Sequence, residues 1–245
     1  MAFRIIFEGT VAKHVESPEE NEDAYRMAQD RGRVVLSDGA SESFDARNWA
    51  NLVVNQFLDT EPSDEGICSC IQAYGALHDP STLSWSKAAA YERGSFATLV
   101  IAQDDPDRQT VAITALGDSL AVWSNGDSVI DTAPYSRAEQ FTEKPTLLAT
   151  RQEFNASVSV GELGPWNRRE WSYDQQGTYF LLCMTDALGA WLLQSQEQGN
   201  FLAFERLSKI RDPHDFLELV EAERASGALR RDDTTLIIVT LTSST

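Results

Sequence analysis

Four aspartates stand where carboxylates could act together. Asp38 closes the apolar run Val34-Val35-Leu36-Ser37, Asp186 closes the run from Tyr179 to Thr185, Asp233 opens the last apolar run, and Asp23 precedes Ala24-Tyr25. Carboxylates at strand ends can converge at one edge of a pair of packed sheets. Oxygen-only ligands of this kind select hard cations, Mg²⁺ or Mn²⁺, over zinc, which favours nitrogen and sulfur. Taken singly, each aspartate is also explained as a turn or cap residue, whose side chain bonds nearby backbone N–H groups.

The elements that must position them follow from period and punctuation. Short runs bounded by turn formers predict strands at Phe3 to Phe7, Ala24 to Gln29 and Val34 to Ser37. Ala46, Trp49, Ala50, Val53 and Phe57 recur at three- and four-residue steps, which predicts an amphipathic helix between Asp45 and Asp59. A second helix is predicted around Ile67, Ile71, Tyr74 and Leu77. Beyond Gly94 the pattern returns to strands at Phe96 to Ala102, Val111 to Leu116 and Leu120 to Trp123, an antiparallel meander that turns at Asn125-Gly126-Asp127. The stretch 132–177 is rich in Pro, Gly and charge and predicts an irregular, flap-like excursion over the sheet. A buried strand at Tyr179 to Met184 precedes further helices, the last capped by Asp212, started by Pro213 and closed by Gly227. Thr235 to Leu241 is the final strand. With no repeat and no linker, the expectation is one α+β domain over residues 1–245.

Composition narrows the function classes. The net charge is −18, from 38 acidic and 20 basic residues, and a field of that sign repels nucleic acid and anionic lipid. Neither nucleic acid nor membrane is therefore expected as a partner. No run reaches the roughly 18 apolar residues of a membrane span, and no signal peptide is evident. Cys68, Cys70 and Cys183 make an odd, scattered set that fits a reducing cytosol and a cytoplasmic protein. Cys68 and Cys70 lack a partner pair at zinc-site spacing and read as small thiols on a helix. The six tryptophans read as core or interface aromatics.

The segments around the aspartates add a sequence-wide pattern. Asn21-Glu22-Asp23-Ala24-Tyr25, Leu36-Ser37-Asp38-Gly39, Gly94-Ser95-Phe96-Ala97-Thr98, Leu116-Gly117-Asp118-Ser119, Leu182-Cys183-Met184-Thr185-Asp186 and Arg231-Asp232-Asp233-Thr234-Thr235 resemble, in order, the successive motifs of the PP2C (PPM) family of metal-dependent Ser/Thr protein phosphatases. The resemblance spans nearly the whole chain. It implies a four-layer α-β-β-α sandwich, two antiparallel sheets flanked by helices, with a two-metal site of Mn²⁺ or Mg²⁺ at one edge.

Carried over residue by residue, Asp38 resembles the bridging carboxylate and Gly39 the residue lending a backbone carbonyl. Asp186 and Asp233 resemble the other carboxylates on one metal, Asp23 the acidic contact on the second, and Glu22 a residue acting through water. Asp118 resembles the ligand of a third, weaker metal, and it reads equally as a turn aspartate. The implied activity is hydrolysis of phosphoserine or phosphothreonine in a phosphorylated protein by a water between two cations, with no Ser or Cys nucleophile.

The chain departs from the family in three places. Asp38-Gly39 continues as Ala40-Ser41-Glu42 rather than x-Gly-Gly, Thr234 follows Asp233 where Asn is usual, and Pro18 stands where a phosphate-holding arginine is expected. Lys13, on the expanded loop before Asn21, is then the candidate phosphate-binding cation, with His14 beside it. Two other functions remain open: a pseudophosphatase that binds a phosphoprotein or regulator without turnover, and a hydrolase of small phosphoesters.

Overall fold

The computed structural model describes residues 2–41, 43–158, 164–174 and 176–242. In chain order the elements are β1 (Ala2–Val11), β2 (Ala24–Ala28), β3 (Arg33–Ser37), α1 (Ala46–Asp59), α2 (Asp64–Leu77), α3 (Trp85–Arg93), β4 (Phe96–Ala97), β5 (Leu99–Asp105), β6 (Thr110–Leu116), β7 (Leu120–Ser124), β8 (Val129–Ala133), β9 (Leu148–Ala149), β10 (Asn167–Ser172), β11 (Tyr179–Met184), α4 (Asp186–Glu197), α5 (Leu202–Ser208), α6 (Pro213–Ser226) and β12 (Thr234–Thr242). One sheet has the order β1-β12-β11-β7-β8 and the other β10-β6-β5-β3-β2, and neighbouring strands in both are antiparallel.

Three apolar layers separate four structural ones. Between the sheets, Val34, Leu36, Val100 and Ile113 meet Leu181, Cys183, Ile237 and Val239. On the outer face of the first sheet, Leu182, Met184, Leu236 and Ile238 pack on Leu188, Leu192, Phe204 and Phe216 of α4 to α6. On the outer face of the second, Val35, Leu99 and Ile101 pack on Trp49, Val53 and Phe57 of α1 and on Ile67 and Tyr74 of α2. Because successive strand residues point to opposite faces and both faces are covered, the central strands read as unbroken apolar runs. Each such side chain fully withdrawn from water contributes about 1.5–3 kcal/mol of hydrophobic free energy. The α-β-β-α sandwich expected from the sequence is the fold observed.

Local signals also agree. The buried face of α1 is Ala46, Trp49, Ala50, Val53, Val54 and Phe57. Asp212 caps α6 by accepting from the His214 N–H at 2.7 Å, and Gly227 ends it with φ 78°. Within 132–177, by contrast, Asn167–Ser172 forms β10 and pairs with β6, extending the second sheet. Its sequence hid this, since Trp171 is its only buried residue and the others face solvent or the rim. Residues 159–163 and 175 of that stretch lie outside the described residues.

Cys70 and Cys183 are buried and Cys68 half-buried, all as free thiols. Trp85 is not a core aromatic: at the start of α3 it is 88% exposed. Among the described residues no helix is long and apolar enough to cross a membrane.

Candidate metal centre

Asp38 is delivered to the sheet edge by β3, whose residues are all buried. The chain stays paired past the strand end: the Asp38 N–H donates to Thr98 Oγ1 at 2.9 Å, the Thr98 N–H donates to the Asp38 carbonyl at 2.9 Å, and Gly39 bridges Ala97. Gly39 has to be glycine, because a Cβ there would stand 2.9 Å from the Ala46 Cβ, the Ala46 carbonyl and the Glu22 carbonyl. This close approach seats the start of α1 and the Glu22 segment against the Asp38 turn. Gly117, at φ +94°, lets the chain leave β6 in a turn that aims Asp118 at the same place.

Asp186 is the first residue of α4 and Asp232 stands two residues before β12. A carboxylate in a helix's first turn is favoured by the helix dipole. With Gly39, Ala40, Ser41, Thr98, Lys13, Pro145 and Leu147, the four carboxylates Asp38, Asp118, Asp186 and Asp232 line one pocket of about 420 Å³. Behind it, Asp23 Oδ2 accepts from Thr235 Oγ1 at 2.7 Å and from Thr185 Oγ1 at 3.2 Å, while Asp23 Oδ1 is buried without a partner. The Thr185 hydroxyl also accepts from the Thr235 N–H at 2.9 Å, so it serves Asp23 and β12 rather than capping α4.

The position of Asp233 corrects the expectation from sequence. Its Oδ1 accepts from the Lys13 N–H at 2.6 Å and its Oδ2 from the Glu22 N–H at 2.8 Å, so it braces the segments after β1 and before β2. Asp232, which the sequence reading passed over, takes the place on the pocket. Both Asp233 carboxylate oxygens are taken up by the Lys13 and Glu22 N–H groups, whereas the Asp232 side chain lines the pocket.

Arg224 of α6 fixes this turn. Its buried guanidinium donates to the carbonyls of Asp232 and Ala12, the latter at 3.0 Å, and to Thr234 Oγ1 at 3.2 Å.

Electrostatics follow from packing like charges under partial burial. Burial, followed by repulsion from Asp23, Asp186, Asp118 and Asp232, holds the Asp38 carboxyl well above the ordinary carboxylate range. Burial and then Asp186 push Asp118 up to about 7. Burial raises Asp23 strongly, against the donors Thr235 and Thr185 and with repulsion from Asp233 and Asp186. Asp186 is raised by burial, and Arg230, whose guanidinium donates to Asp186 Oδ2, opposes the rise. Glu22 is raised by burial and bonds Ser41.

Lys13 lines the pocket, its Nζ 3.7 Å from Asp232 Oδ1. Lys13 and Ser41 also line a second cavity of about 260 Å³ with His14, Ser17, Glu20, Glu22 and Asp233. Arg47 of α1 donates to the Glu19 carbonyl.

Among the described residues no three His, Cys, Asp or Glu side chains are drawn together into a ready-made cage for one ion. The donor chemistry nevertheless fits a hard divalent cation. Four carboxylates lining one pocket, a buried carboxylate oxygen without a donor, and a carbonyl-bearing glycine turn beside them all gain from a cation.

The four-layer fold is similar to that of solved serine/threonine phosphatases. The serine/threonine phosphatase PstP/Ppp of Mycobacterium tuberculosis superposes with a TM-score of 0.63 at 15% identity, over 100% of both chains. Phosphatase Stp1 from Staphylococcus aureus gives 0.58 at 18% identity, over 98% of this chain and 95% of that one. PppA, a regulatory component of the type VI secretion system of Pseudomonas aeruginosa, gives 0.56 at 17%, over 98% and 97%. Likeness at this level of identity shows the fold. No protein-family model and no curated protein matches the sequence.

Proposed function

We propose that the protein is a PP2C-type phosphatase that hydrolyses phosphoserine or phosphothreonine in a protein substrate, using two Mn²⁺ or Mg²⁺ ions. The observation that carries this reading is the meeting of Asp38, Asp118, Asp186 and Asp232 with Gly39 in one pocket at the sheet edge. Asp38, Asp186 and Asp232, with Asp23 and the Gly39 carbonyl, would hold the ions, and Glu22 would act through water. Asp118 faces the same pocket and is the residue for a third ion. Bound cations of this kind supply an activated water and neutralise charge on the phosphoryl group.

The remaining residues bind and shape. Lys13 offers the phosphate a point charge from the pocket wall, and Pro145 and Leu147 give an apolar wall for the residue bearing it. Thr98 holds the Asp38 backbone in place from both sides of the peptide. Phosphate release from a phosphothreonine peptide should require added Mn²⁺ or Mg²⁺ in the millimolar range and stop with EDTA, because water fills several ligand positions and affinity is modest. Full turnover in excess EDTA would sink the two-metal reading.

A second reading, a pseudophosphatase, is favoured by one observation: Pro18 occupies the place of the phosphate-holding arginine and is exposed on a short turn. Saturable phosphopeptide binding with no phosphate release at any Mn²⁺ concentration would select it. Faster turnover of small phosphoesters than of the peptide would instead select a small-molecule hydrolase.

A further inference from the structure

Arg230 lies between α6 and β12, two residues before Asp232. Its guanidinium donates to Asp186 Oδ2, and its Nε stands 3.4 Å from Asp232 Oδ2. One side chain thus bridges two carboxylates that arrive from opposite ends of the site, one on the first turn of α4 and one on the approach to β12. The pair is unequally enclosed: side-chain exposure is 16% for Asp186 and 26% for Asp232, against 49% for Arg230. The carboxylates are set in the wall, whereas the arginine reaches them from the solvent side. Asp232 is further fixed through its backbone, which Arg224 holds.

Resting on the metal-site reading above, we propose that Arg230 is a tethered counter-ion that competes with the divalent cation for Asp186 and Asp232, and so sets the metal concentration at which the site fills. A guanidinium stays charged across the working pH range, so the competition is governed by metal concentration and ionic strength rather than by protonation. The fork geometry matches two carboxylate oxygens. A divalent ion brings twice the charge and wins when abundant, yet its apparent affinity falls by the fraction of molecules in which the arginine already holds the pair. The same contact neutralises part of a self-repelling cluster while no metal is bound, so the arginine also steadies the edge of the sandwich.

The test is Mn²⁺ titration by calorimetry, without substrate and at low ionic strength, for the wild type, Arg230→Gln and Arg230→Lys, with thermal midpoints in EDTA alongside. Arg230→Gln should bind Mn²⁺ about tenfold more tightly than the wild type and melt lower in EDTA, because the shared pair is released to the metal. Arg230→Lys, which keeps the charge and loses the fork, should fall between them and guards against a glutamine variant that does not fold. Equal or weaker Mn²⁺ binding by both variants overturns the competition and leaves the metal site standing. Absence of Mn²⁺ binding by all three proteins overturns the metal reading and this proposal together.

Discussion

The two ends of the β-sandwich both bring aspartates to their rims and treat them in opposite ways. At the end where β5 finishes, buried Asp104 accepts from Tyr173 Oη at 2.7 Å, and Asp131 accepts from Trp171 Nε1 at 2.8 Å. Each carboxylate there has its own donor, and the donors belong to an aromatic cluster in which Trp123 stacks on Trp171 and Tyr179. At the other end Asp38, Asp118, Asp186 and Asp232 share one pocket, and Asp23 behind it keeps an oxygen without a donor. A buried polar group left unpaired is destabilising, and buried like charges more so. A fold that satisfies its carboxylates at one end and crowds them at the other has, at the second, the unmet demand for positive charge that the proposed cations would supply.

The largest expected effect breaks the crowded end. Asp38→Asn should lower phosphatase turnover by about three orders of magnitude, since loss of the shared ligand forfeits several kcal/mol of charge stabilisation. Without metal the sign reverses. Asp38 and Asp118 are raised above their ordinary values, Asp118 from 3.8 to about 7, so the folded state disfavours their charged forms. Stability from these groups is fully present below the unfolded carboxyl value and is lost as pH rises through the folded ones. In EDTA, therefore, Asp38→Asn should melt higher than the wild type at pH 8 and differ little from it at pH 4, by about 2–4 °C per kcal/mol of repulsion removed. Asp186→Asn should gain less because it also strands Arg230. A large fall in the midpoint of Asp38→Asn at pH 8 would make Asp38 a structural cap.

Much of the crowded end was legible in sequence because it is local. An apolar run followed by Asp38-Gly39 identifies a strand end and a tight turn together, and the same holds for Met184-Thr185-Asp186. What was not legible depends on contacts across the chain. Asp232 and Asp233 are adjacent and chemically alike, and only the pairing of β12 with β1 decides which one meets the Lys13 backbone. Arg224 and Arg230 look like ordinary surface charges until α6 is packed, when one becomes a buried brace and the other a counter-ion. β10 was hidden because an edge strand with solvent on one side need not be apolar. The fold was more legible than the site: burial patterns repeat over whole elements, whereas the choice between neighbouring side chains turns on a single register.

A smaller effect sharpens the satisfied end. Tyr173→Phe removes the donor to Asp104 while keeping the ring, and should destabilise the protein by about 1–3 kcal/mol, the penalty for a buried acceptor left unpaired. Phosphatase activity with saturating Mn²⁺ should be unchanged. Urea unfolding measures the first and the peptide assay the second. If turnover falls in step with Lys13- or Asp38-type variants, the two ends are coupled and the contrast between them fails.

The smallest effect concerns Lys13, the cation on the wall of the crowded end. Its Nζ is 3.7 Å from Asp232 Oδ1 with the side chain 39% exposed, while its backbone N–H is held by Asp233 at 2.6 Å. Lys13→Ala keeps that backbone bond, so the turn should persist and the loss should be confined to charge. A partly exposed ammonium contributes at most about 1 kcal/mol, which corresponds to a KM for a phosphopeptide raised no more than roughly fivefold. kcat should fall as well only if the contact tightens in the transition state. Lys13→Arg should recover most of the loss, since the charge returns on a similar stem. The alternative is that Lys13 serves Asp232 rather than the phosphate. In that case the alanine variant would shift the Mn²⁺ concentration for half-maximal activity and leave KM at saturating metal untouched, and the phosphate would have to be held by the metal ions without help from this side chain.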